Sequence, residues 1–363
     1  MIHRVAVHGG SSLDGHVARF ARCLGQAIAT DTRLTLVTGG FSDRVSGEGA
    51  DADPNEARLT STDYEAVEGA REVLGAGQRS EAEWIETWLP SEFNRGSDDA
   101  RYFRAGAVRS IDGATPQARR FVLVKGVDAV VTVEGKANTA QVLDLALAIN
   151  RSALPLPFTG AASASARYWR RNRPQIQKWF KLSDDEWNGL EAVDLGSLDG
   201  AAMTELAERV LTYLWRGIER RCLALLPFDG ESKEFFAGVV QMVIEDEGLV
   251  VDRVDLEPEG GEIYDKFTRS LAAADVVLVD ITGFNRNVMY ELGHVHAKGV
   301  SPLLYQRVAI DVDPAEIPFY LKPHAIVTFE SGAGPTLVED FRARLRKYVR
   351  KILPDRPDRS VDE

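Results

Sequence analysis

The fold of the C-terminal half is decided by residues 274–299, ADVVLVDITGFNRNVMYELGHVHAKG. The apolar run Val276–Val279 has the length and composition of a strand buried in a parallel sheet, and Asp280 follows it directly. A polar turn then leads into a helix with apolar residues three or four positions apart: Val288, Leu292 and Val295. The stretch therefore predicts one strand–turn–helix unit of a doubly wound α/β sheet.

The alternation of strands and helices continues on both sides of this unit. Asn285 or Asn287 can cap its helix, and Gly299 can end the helix in the left-handed conformation. Further apolar runs predict strands at 221–226, 250–254, 302–305 and 326–329, with helices at 234–247, 263–273 and 337–353. Residues 219–355 are therefore expected to form one domain, followed by a frayed tail at 356–363.

The N-terminal half shows the same alternation, with glycines after its first strands. The predicted strands are 4–11, 34–37, 85–89, 128–133 and 153–158, and helical patterns lie between them. Residues 163–221 are helical in pattern and contain four of the six tryptophans. This helical stretch is interpreted as the closing helices of the first domain plus a connector. We predict two doubly wound, Rossmann-like or flavodoxin-like α/β domains with mostly parallel sheets, residues 1–170 and 219–355, joined by a helical connector at 171–218.

Composition and charge narrow the classes of function. The formal net charge of -12 disfavours a protein that depends on many phosphate contacts to nucleic acid. The basic stretches 167–173 and 342–351 are expected to be solvated or packing faces of helices. Cys23 and Cys222 lie in apolar contexts of separate domains, which favours buried thiols in a reducing cytoplasm. No signal-like or membrane-spanning run is evident, so a cytoplasmic protein is expected.

Asp280 and Glu291 are expected to share a cleft. The carboxyl ends of parallel strands form the ligand edge, and a side chain early in the following helix points back towards that edge. Such a pair suits cleavage of a ribosyl–base bond, because one carboxylate can stabilise or attack the cationic C1′ atom while the other holds ribose hydroxyls or protonates the base. We assign the main role to Glu291. Polar groups near both carboxylates would come from Thr282, Asn285 and Asn287.

Purely structural roles stay open for these residues. Glu291 could complement the dipole of its helix, and Asp280 could cap a turn. His294 and His296 are two positions apart and point about 200° away from each other on a helix. No metal is expected there, since the zinc spacing of four residues is lacking. His294 is expected to line or support the cleft.

The block at 280–297 resembles the TIR-like and nucleoside 2-deoxyribosyltransferase-like group. LLPFD at 225–229 and EIPF at 316–319 also carry this resemblance, which covers about residues 219–350. It implies that Glu291 is catalytic and that Asp280 and Asn287 contact the sugar. The tryptophan–cysteine pair of signalling TIR domains is missing from the sequence, so a scaffolding role of the animal type is not implied. The implied base-binding loop is Pro227, Phe228 and Asp229, with Tyr264 as a further substrate-binding candidate.

Three loops of the N-terminal half offer groups for phosphate. GGSS at 9–12, GGF at 39–41 and EGKANT at 134–139 each follow a strand, so they should meet at one edge of the sheet. Bare backbone amides and a helix N-terminus can bind phosphate there, and the third loop adds a cation and a hydroxyl. One Gly-Gly turn would be ordinary turn sequence, whereas three converging loops favour a nucleotide site.

The motifs VAVHGGSS, LVTGGF, GATPQARR, DAVVTVEGKANTAQ and LPLPFTGAAS resemble the SLOG superfamily, which includes the Lonely-guy hydrolases, over about residues 3–170. Hydrolytic members have a catalytic glutamate where Gln141 and Val142 stand here. An amide cannot replace a carboxylate base, so this half is expected to bind without hydrolysing. Arg119, Lys136 and Thr139 would contact phosphates. The full set of expected signal-binding residues is Gly9, Gly10, Ser11, Ser12, Gly39, Gly40, Phe41, Arg119, Gly135, Lys136 and Thr139.

Together the two resemblances imply a bacterial antiviral effector. A nucleotide signal would bind the first domain and, by shifting a homo-oligomer between two states, release hydrolysis of NAD at its ribosyl–nicotinamide bond; whether the signal also induces the oligomer is left open by the sequence. NAD would be the substrate, and no further cofactor is expected. Two alternatives remain open: a nucleoside N-glycosidase or deoxyribosyltransferase that uses the same Glu291, and a non-catalytic nucleotide-binding scaffold. Catalysis by the first domain is disfavoured because its glutamate is missing.

Overall fold

The computed structural model describes residues 2–11, 13–41, 61–91, 102–111, 115–165, 167–253, 263–309, 317–331 and 335–353. The chain divides into two compact units with a boundary between Ile218 and Glu219, here called the N-terminal and C-terminal domains. Four features named from the sequence lie outside the described residues: Ser12, Val254, Glu316 and the tail 356–363.

The described part of the N-terminal domain has one sheet of six parallel strands. The strands are β1 His3–Gly9, β2 Leu34–Thr38, β3 Ile85–Pro90, β4 Ala107–Ile111, β5 Ala129–Val133 and β6 Ala153–Pro155. Their spatial order is β4-β3-β2-β1-β5-β6, so the direction of winding reverses between β1 and β5. In open α/β sheets, ligands bind at the carboxyl ends of the strands beside such a reversal.

The first five helices of this domain are α1 Gly15–Thr30, α2 Thr62–Ala76, α3 Glu81–Trp84, α4 Pro116–Gly126 and α5 Ala137–Ala148. Asp14 caps α1 by accepting from the His16 and Val17 N–H groups at 2.8 and 2.9 Å. Glycines allow α1 and α2 to pack closely: a Cβ at Gly25 would clash with the Ala66 carbonyl, and one at Gly69 with the Arg22 carbonyl.

The helical stretch at 163–221 was predicted to contain the closing helices of the first domain and a connector at 171–218, and residues 171–218 also pack in the N-terminal domain. They form α6 Arg173–Phe180, α7 Asp184–Glu191 and α8 Gly200–Ile218. The rings of Trp169 and Trp187 stack with centroids 3.6 Å apart, and both belong to the same buried core as Phe20 and Leu36. These helices are therefore part of the N-terminal domain.

The described part of the C-terminal domain has a five-stranded parallel sheet: β7 Arg220–Leu225, β8 Leu249–Arg253, β9 Val276–Asp280, β10 Leu303–Ala309 and β11 Ile326–Ser331. The spatial order β11-β10-β9-β7-β8 corresponds to 2-1-3-4-5 within the domain, which is the flavodoxin-like arrangement. The helices are α9 Gly230–Phe235, a π-helical turn Phe236–Val240, α10 Gln241–Asp246, α11 Ile263–Ala273, α12 Arg286–Ala297 and α13 Pro335–Ile352. The switch point of this sheet, where the direction of winding reverses, lies between β7 and β9.

The prediction of two doubly wound α/β domains with parallel sheets is confirmed. Separate buried clusters cover the two faces of each sheet, as that class requires. The sequence reading missed the edge strand Ala107–Ile111, most of which is only half-buried, so it lacks a continuous apolar run. In the part of the chain that the structure describes, no helix is long and apolar enough to cross a membrane.

Candidate functional sites

The glycine-rich turn after β1 is closed by contacts within the protein. A Cβ at Gly9 would clash with the carbonyl oxygen of Val133 and the hydroxyl of Thr62, so glycine is required by close approach. The Gly10 N–H donates to the Val133 carbonyl at 3.0 Å, and the Gly10 carbonyl accepts from the Thr62 N–H at 2.9 Å. Ser11 follows in a half-buried position. The Gly10 amide is therefore not the bare phosphate donor expected from the sequence.

The turn after β2 is closed in the same way. The Gly40 N–H donates to the Thr38 hydroxyl at 3.1 Å, and the Phe41 N–H donates to Oδ2 of buried Asp63 at 3.1 Å. Gly40 has a left-handed φ of +66°, and Gly39 is buried beside the Asp63 carboxylate. The expectation that this loop offers free amides to phosphate is corrected, because two of its N–H groups already have partners.

The loop after β5 holds a carboxylate against the first loop. Glu134 and Gly135 have φ values of +54° and +85°, and the left-handed Glu134 is held by Thr159, which accepts from its N–H at 2.7 Å, and Ser163, which donates to its carbonyl at 2.8 Å. This backbone aims the Glu134 carboxylate at Gly10, where it would clash with an added Cβ. Burial, and then the charge of Asp14, raises the pKa of Glu134.

Two adjacent arginines of α4 lie near the same edge. Arg120 is 7% exposed, and its guanidinium donates to the amide oxygens of Asn138, at 2.7 Å, and Gln141. Arg119 is half-buried, with its guanidinium carbon 5.5 Å from the centre of the Tyr102 ring. Burial, and then the charge of Arg119, lowers the pKa of Arg120. Among the described residues, no carboxylate pairs with Arg120.

His8, Thr139 and Lys136 complete the described surroundings. Both ring nitrogens of His8 are shielded from solvent and have no hydrogen-bond partner among the described residues. Burial lowers the pKa of His8, Asp63 acts against this change, and the two arginines reinforce it. Thr139 is fully buried beneath Gly135, whereas Lys136 is exposed at the start of α5. Thr139 therefore supports the loop, and Lys136 is open to a ligand.

At the C-terminal switch point, Asp280 is completely buried at the end of β9. Its Oδ1 accepts from the Thr282 N–H at 2.9 Å, and Tyr305 lies opposite it on β10. Burial raises the pKa of Asp280, while Thr282, Arg307 and Tyr305 act in the other direction. Burial also raises the pKa of Tyr305 well above its ordinary value, helped by Asp280. A carboxylate with no exposed surface supports the turn and does not reach a ligand in this arrangement.

Arg307 joins three segments around Asp280. Its guanidinium donates to Glu231 at 2.9 Å and Ser232 at 2.7 Å, and it lies 3.9 Å from Oδ2 of Asp280. Its own backbone N–H donates to the Thr282 hydroxyl at 2.9 Å. The side chain is only 7% exposed. This arginine, which was not singled out from the sequence, ties the turns after β7 and β9 to β10.

The loop after β7 has a buried start and an exposed end. Pro227 is buried, Phe228 is 49% exposed, and Asp229 caps α9 by accepting from the Ser232 N–H at 2.8 Å. That bond is the main reason why the pKa of Asp229 is lowered. The exposed ring of Phe228 offers a stacking surface for a base, whereas Asp229 is engaged in its own helix.

The turn into α12 follows the sequence prediction closely. Asn285 caps the helix by accepting from the Asn287 and Val288 N–H groups at 3.0 and 3.4 Å. At the other end, Gly299 has φ +70° and the Val300 N–H donates to the Val295 carbonyl, which is a Schellman ending. Both predicted helix limits are thus confirmed. Asn287 is exposed in the first turn and stays available to a ligand.

Glu291 lies in the second turn of α12, half-buried beside the apolar stripe that packs on the sheet. One turn further, His294 contacts the Tyr264 hydroxyl through Nε2 at 2.7 Å, and its ring is also edge-on to Phe267. Tyr290 is 67% exposed next to Glu291. A cluster of aromatic and imidazole rings, formed by Tyr264, Tyr290 and His294, therefore lies at the same part of α12 that carries Glu291.

His296 does not take part in this group. Its ring stacks on that of His324, with centroids 4.8 Å apart and an angle of 9° between the planes. Burial, and then the charge of His324, lowers the pKa of His296. Within the described ranges, no cluster of three or more His, Cys, Asp or Glu side chains is arranged to hold a metal ion.

Fold and sites define an α/β protein with two Rossmann-like domains, each with polar groups gathered at a switch point. No protein-family model and no curated protein matches the chain. The structural-genomics target TM1055 is 19% identical over 45% of this chain and 78% of that one, with a TM-score of 0.31. A molybdenum cofactor binding protein from Rippkaea orientalis is 19% identical over 42% and 75%, with a TM-score of 0.30. Overlaps this weak carry no argument about activity.

Proposed function

We propose that the chain is a nucleotide-responsive effector whose C-terminal domain cleaves the ribosyl–nicotinamide bond of NAD, with Glu291 as the catalytic carboxylate. The observation that carries this proposal is the flavodoxin-like strand order, which brings the Pro227–Asp229 loop and the turn before α12 to one switch point. Ligands of such sheets bind at this position. The resemblance of the α12 block to TIR-like and deoxyribosyltransferase-like proteins supports the choice of chemistry, and extends it to bacterial antiviral defence.

The reaction needs only water as a second reactant. Breaking the bond between C1′ and the nicotinamide nitrogen leaves neutral nicotinamide and positive charge on the ribose, which a carboxylate stabilises. Water then adds to C1′ and loses its proton, so the products are ADP-ribose, nicotinamide and a proton. Because Asp280 is enclosed, we assign it a positioning role through the Thr282 turn. Phe228 and Tyr290 are exposed aromatic rings that can stack on the nicotinamide or the adenine.

The N-terminal domain is proposed to sense a nucleotide signal at the β1–β5 switch point. Support comes from its sheet order and from the half-buried Arg119 beside buried Arg120. Signal binding can activate the effector only if the ligand prefers the active arrangement of the chain, for example a particular homo-oligomer.

The decisive experiment measures nicotinamide release from NAD by the purified full chain, with and without a panel of nucleotides. Glu291→Gln should reduce release at least about a hundredfold, since a positioned carboxylate contributes on that scale. Glu245→Gln is the matched control: it is the same change at an exposed position near the far end of α10. Ligand-stimulated release that is lost only in Glu291→Gln supports the proposal.

Other outcomes select the alternatives. Base release from nucleosides but not from NAD, with the same dependence on Glu291, points to an N-glycosidase or deoxyribosyltransferase. Equal release by Glu291→Gln and the wild type removes Glu291 from the chemistry. If no base is released from any substrate although nucleotides bind, a non-catalytic scaffold is the better description.

A further inference from the structure

At one end of the N-terminal site two arginines lie close together without a carboxylate partner among the described residues. Arg120 is nearly buried, yet its partners in the described chain are the neutral amide oxygens of Asn138 and Gln141. Arg119 follows it directly, and one of its terminal nitrogens is shielded without a partner among the described residues. Buried charges in proteins are normally paired, because desolvation is costly. Within the described residues, the pair of arginines therefore leaves room for an anion that a ligand can supply.

The other end of the site holds two carboxylates, with the exposed Lys136 beside them. The Glu134 carboxylate faces Gly10, and Asp14 is close enough to affect its protonation. A phosphate placed on the glycine turn would meet these like charges. Ribose hydroxyls, by contrast, are donors that a carboxylate accepts readily.

The backbone hydrogen bonds also favour a phosphate at the arginine end of the site and not on the glycine turns. A phosphate on the turns after β1 and β2 would need free N–H groups, but those of Gly10, Gly40 and Phe41 donate within the protein. Glu134 is held in its left-handed conformation by Thr159 and Ser163, which keeps its side chain directed at the glycine turn. Unusual backbone conformations that persist in this way gather at binding sites.

We propose that the nucleotide lies across this site with its phosphate towards Arg119 and Arg120 and its ribose hydroxyls on Glu134. This orientation rests on the proposed sensing function and specifies its ligand. The ligand is a ribonucleotide with a terminal or bridging phosphate, and that phosphate lies away from the glycine turn after β1. Gln141 acts as a positioning residue. It holds Arg120 with a neutral oxygen and leaves the charge available to the ligand.

The test measures binding of AMP and of 2′,3′-dideoxy-AMP to the full chain by calorimetry. Arg119→Gln and Gln141→Glu should each weaken AMP at least about tenfold, the first by removing a cation and the second by giving Arg120 an internal carboxylate. Arg167→Gln is the matched control, because Arg167 is an exposed arginine with a surface partner, Asp144. Thermal unfolding of each variant checks that the fold is retained.

Glu134→Gln distinguishes a nucleotide with its ribose on Glu134 from one with its phosphate on the glycine turn. If the ribose hydroxyls lie on Glu134, this change weakens AMP but leaves 2′,3′-dideoxy-AMP unchanged; exposed Glu83→Gln should alter neither. Tighter AMP binding in Glu134→Gln would place the phosphate on the glycine turn and overturn the proposed orientation. AMP binding that is unaffected by Arg119→Gln and Gln141→Glu would also overturn the proposed orientation. Nucleotide sensing itself would still stand in that case. No AMP binding by the wild type would also overturn the proposed site, whereas sensing itself is tested separately by the response of nicotinamide release to the panel of nucleotides.

Discussion

Arg120 and Arg307 are both largely buried arginines at the carboxyl edge of a parallel sheet, but their surroundings differ. Arg307 lies 3.9 Å from buried Asp280 and donates to Glu231, so carboxylates of the same domain balance its charge. Arg120 is held by the amides of Asn138 and Gln141. The two sheet edges thus differ in electrostatics: carboxylates balance the charge of Arg307, whereas no carboxylate in the described part of the chain pairs with Arg120.

This contrast also indicates which groups face a ligand. In the C-terminal domain Asp280 is completely buried and Arg307 lies beside it, so these two charges balance one another, whereas Glu291 is half-buried. In the N-terminal domain no such internal pairing ties up Arg120 within the described chain. Topology therefore locates both edges, whereas charge pairing shows which of their buried charges already have a partner among the described residues.

The largest expected effect follows from removing Arg307, the arginine whose charge is balanced by carboxylates of its own domain. Arg307→Met should lower the free energy of unfolding of the C-terminal domain by about 3 kcal/mol, because Asp280 loses its buried cation. All six tryptophans precede residue 219, so tryptophan fluorescence reports the N-terminal domain and circular dichroism reports both. The change should move only the dichroism transition in urea. Arg344→Met, at an arginine whose side chain is 48% exposed, is the control.

The same experiment can contradict the comparison. If Arg307→Met unfolds no more easily than Arg344→Met, the network around Asp280 does not stabilise the domain. Adding Asp280→Asn to Arg307→Met should recover part of the loss, since the stranded carboxylate is then gone.

The sequence identified the elements whose signals are local. Val276–Val279 predicted β9, and Asn285 and Gly299 marked both ends of α12, because strand patterns and caps depend on neighbours a few residues away. Asp280 was correctly placed at the end of its strand, but its complete burial was not foreseen. Burial depends on Tyr305 and on the turn above it, which the pattern of one segment does not contain.

The electrostatics of the sites could not be predicted for the same reason. Arg307 bonds with residues 75 and 76 positions earlier, and Arg120 with residues 18 and 21 positions later. The glycine turns were recognised, yet the partners of their amides come from Val133, Thr38 and Asp63. The motif GATPQARR is a sequence signal for Arg119 and Arg120, but it does not indicate which of the two arginines is buried.

A smaller effect concerns the pH dependence of the C-terminal domain. The pKa of Asp280 is raised by burial above its unfolded value of about 3.9, so the folded state holds this proton more tightly. Its contribution to stability is present at low pH and is lost as the pH rises through the folded pKa. Asp280→Asn should therefore gain stability relative to the wild type as the pH increases over that range. Denaturation by urea at a series of pH values checks the trend, with exposed Asp265→Asn as control.

The pH dependence of stability should have the opposite sign in the N-terminal domain, because of His8. Burial lowers the pKa of His8 below its unfolded value of about 6.5, so the unfolded chain binds a proton that the folded domain refuses. Stability from this group is complete above that pH and falls as the solution is acidified towards the folded pKa. His8→Gln should lose less stability than the wild type between about pH 7 and pH 5. Identical slopes in tryptophan fluorescence would mean that His8 titrates normally.

The smallest expected effect follows from removing Arg120, which is the change that corresponds to Arg307→Met in the other domain. Arg120→Met should change the free energy of unfolding of the ligand-free N-terminal domain by less than about 1 kcal/mol, because no described carboxylate is stranded and the cost of burying a charge disappears. Exposed Asn138 can exchange its lost bond for water, and Gln141 is half-buried. With saturating AMP, however, the wild type should be stabilised far more than the variant, since ligand binding adds to folding free energy. A loss as large as that of Arg307→Met without ligand would show that Arg120 is also balanced within the fold, and the distinction between the two edges would disappear.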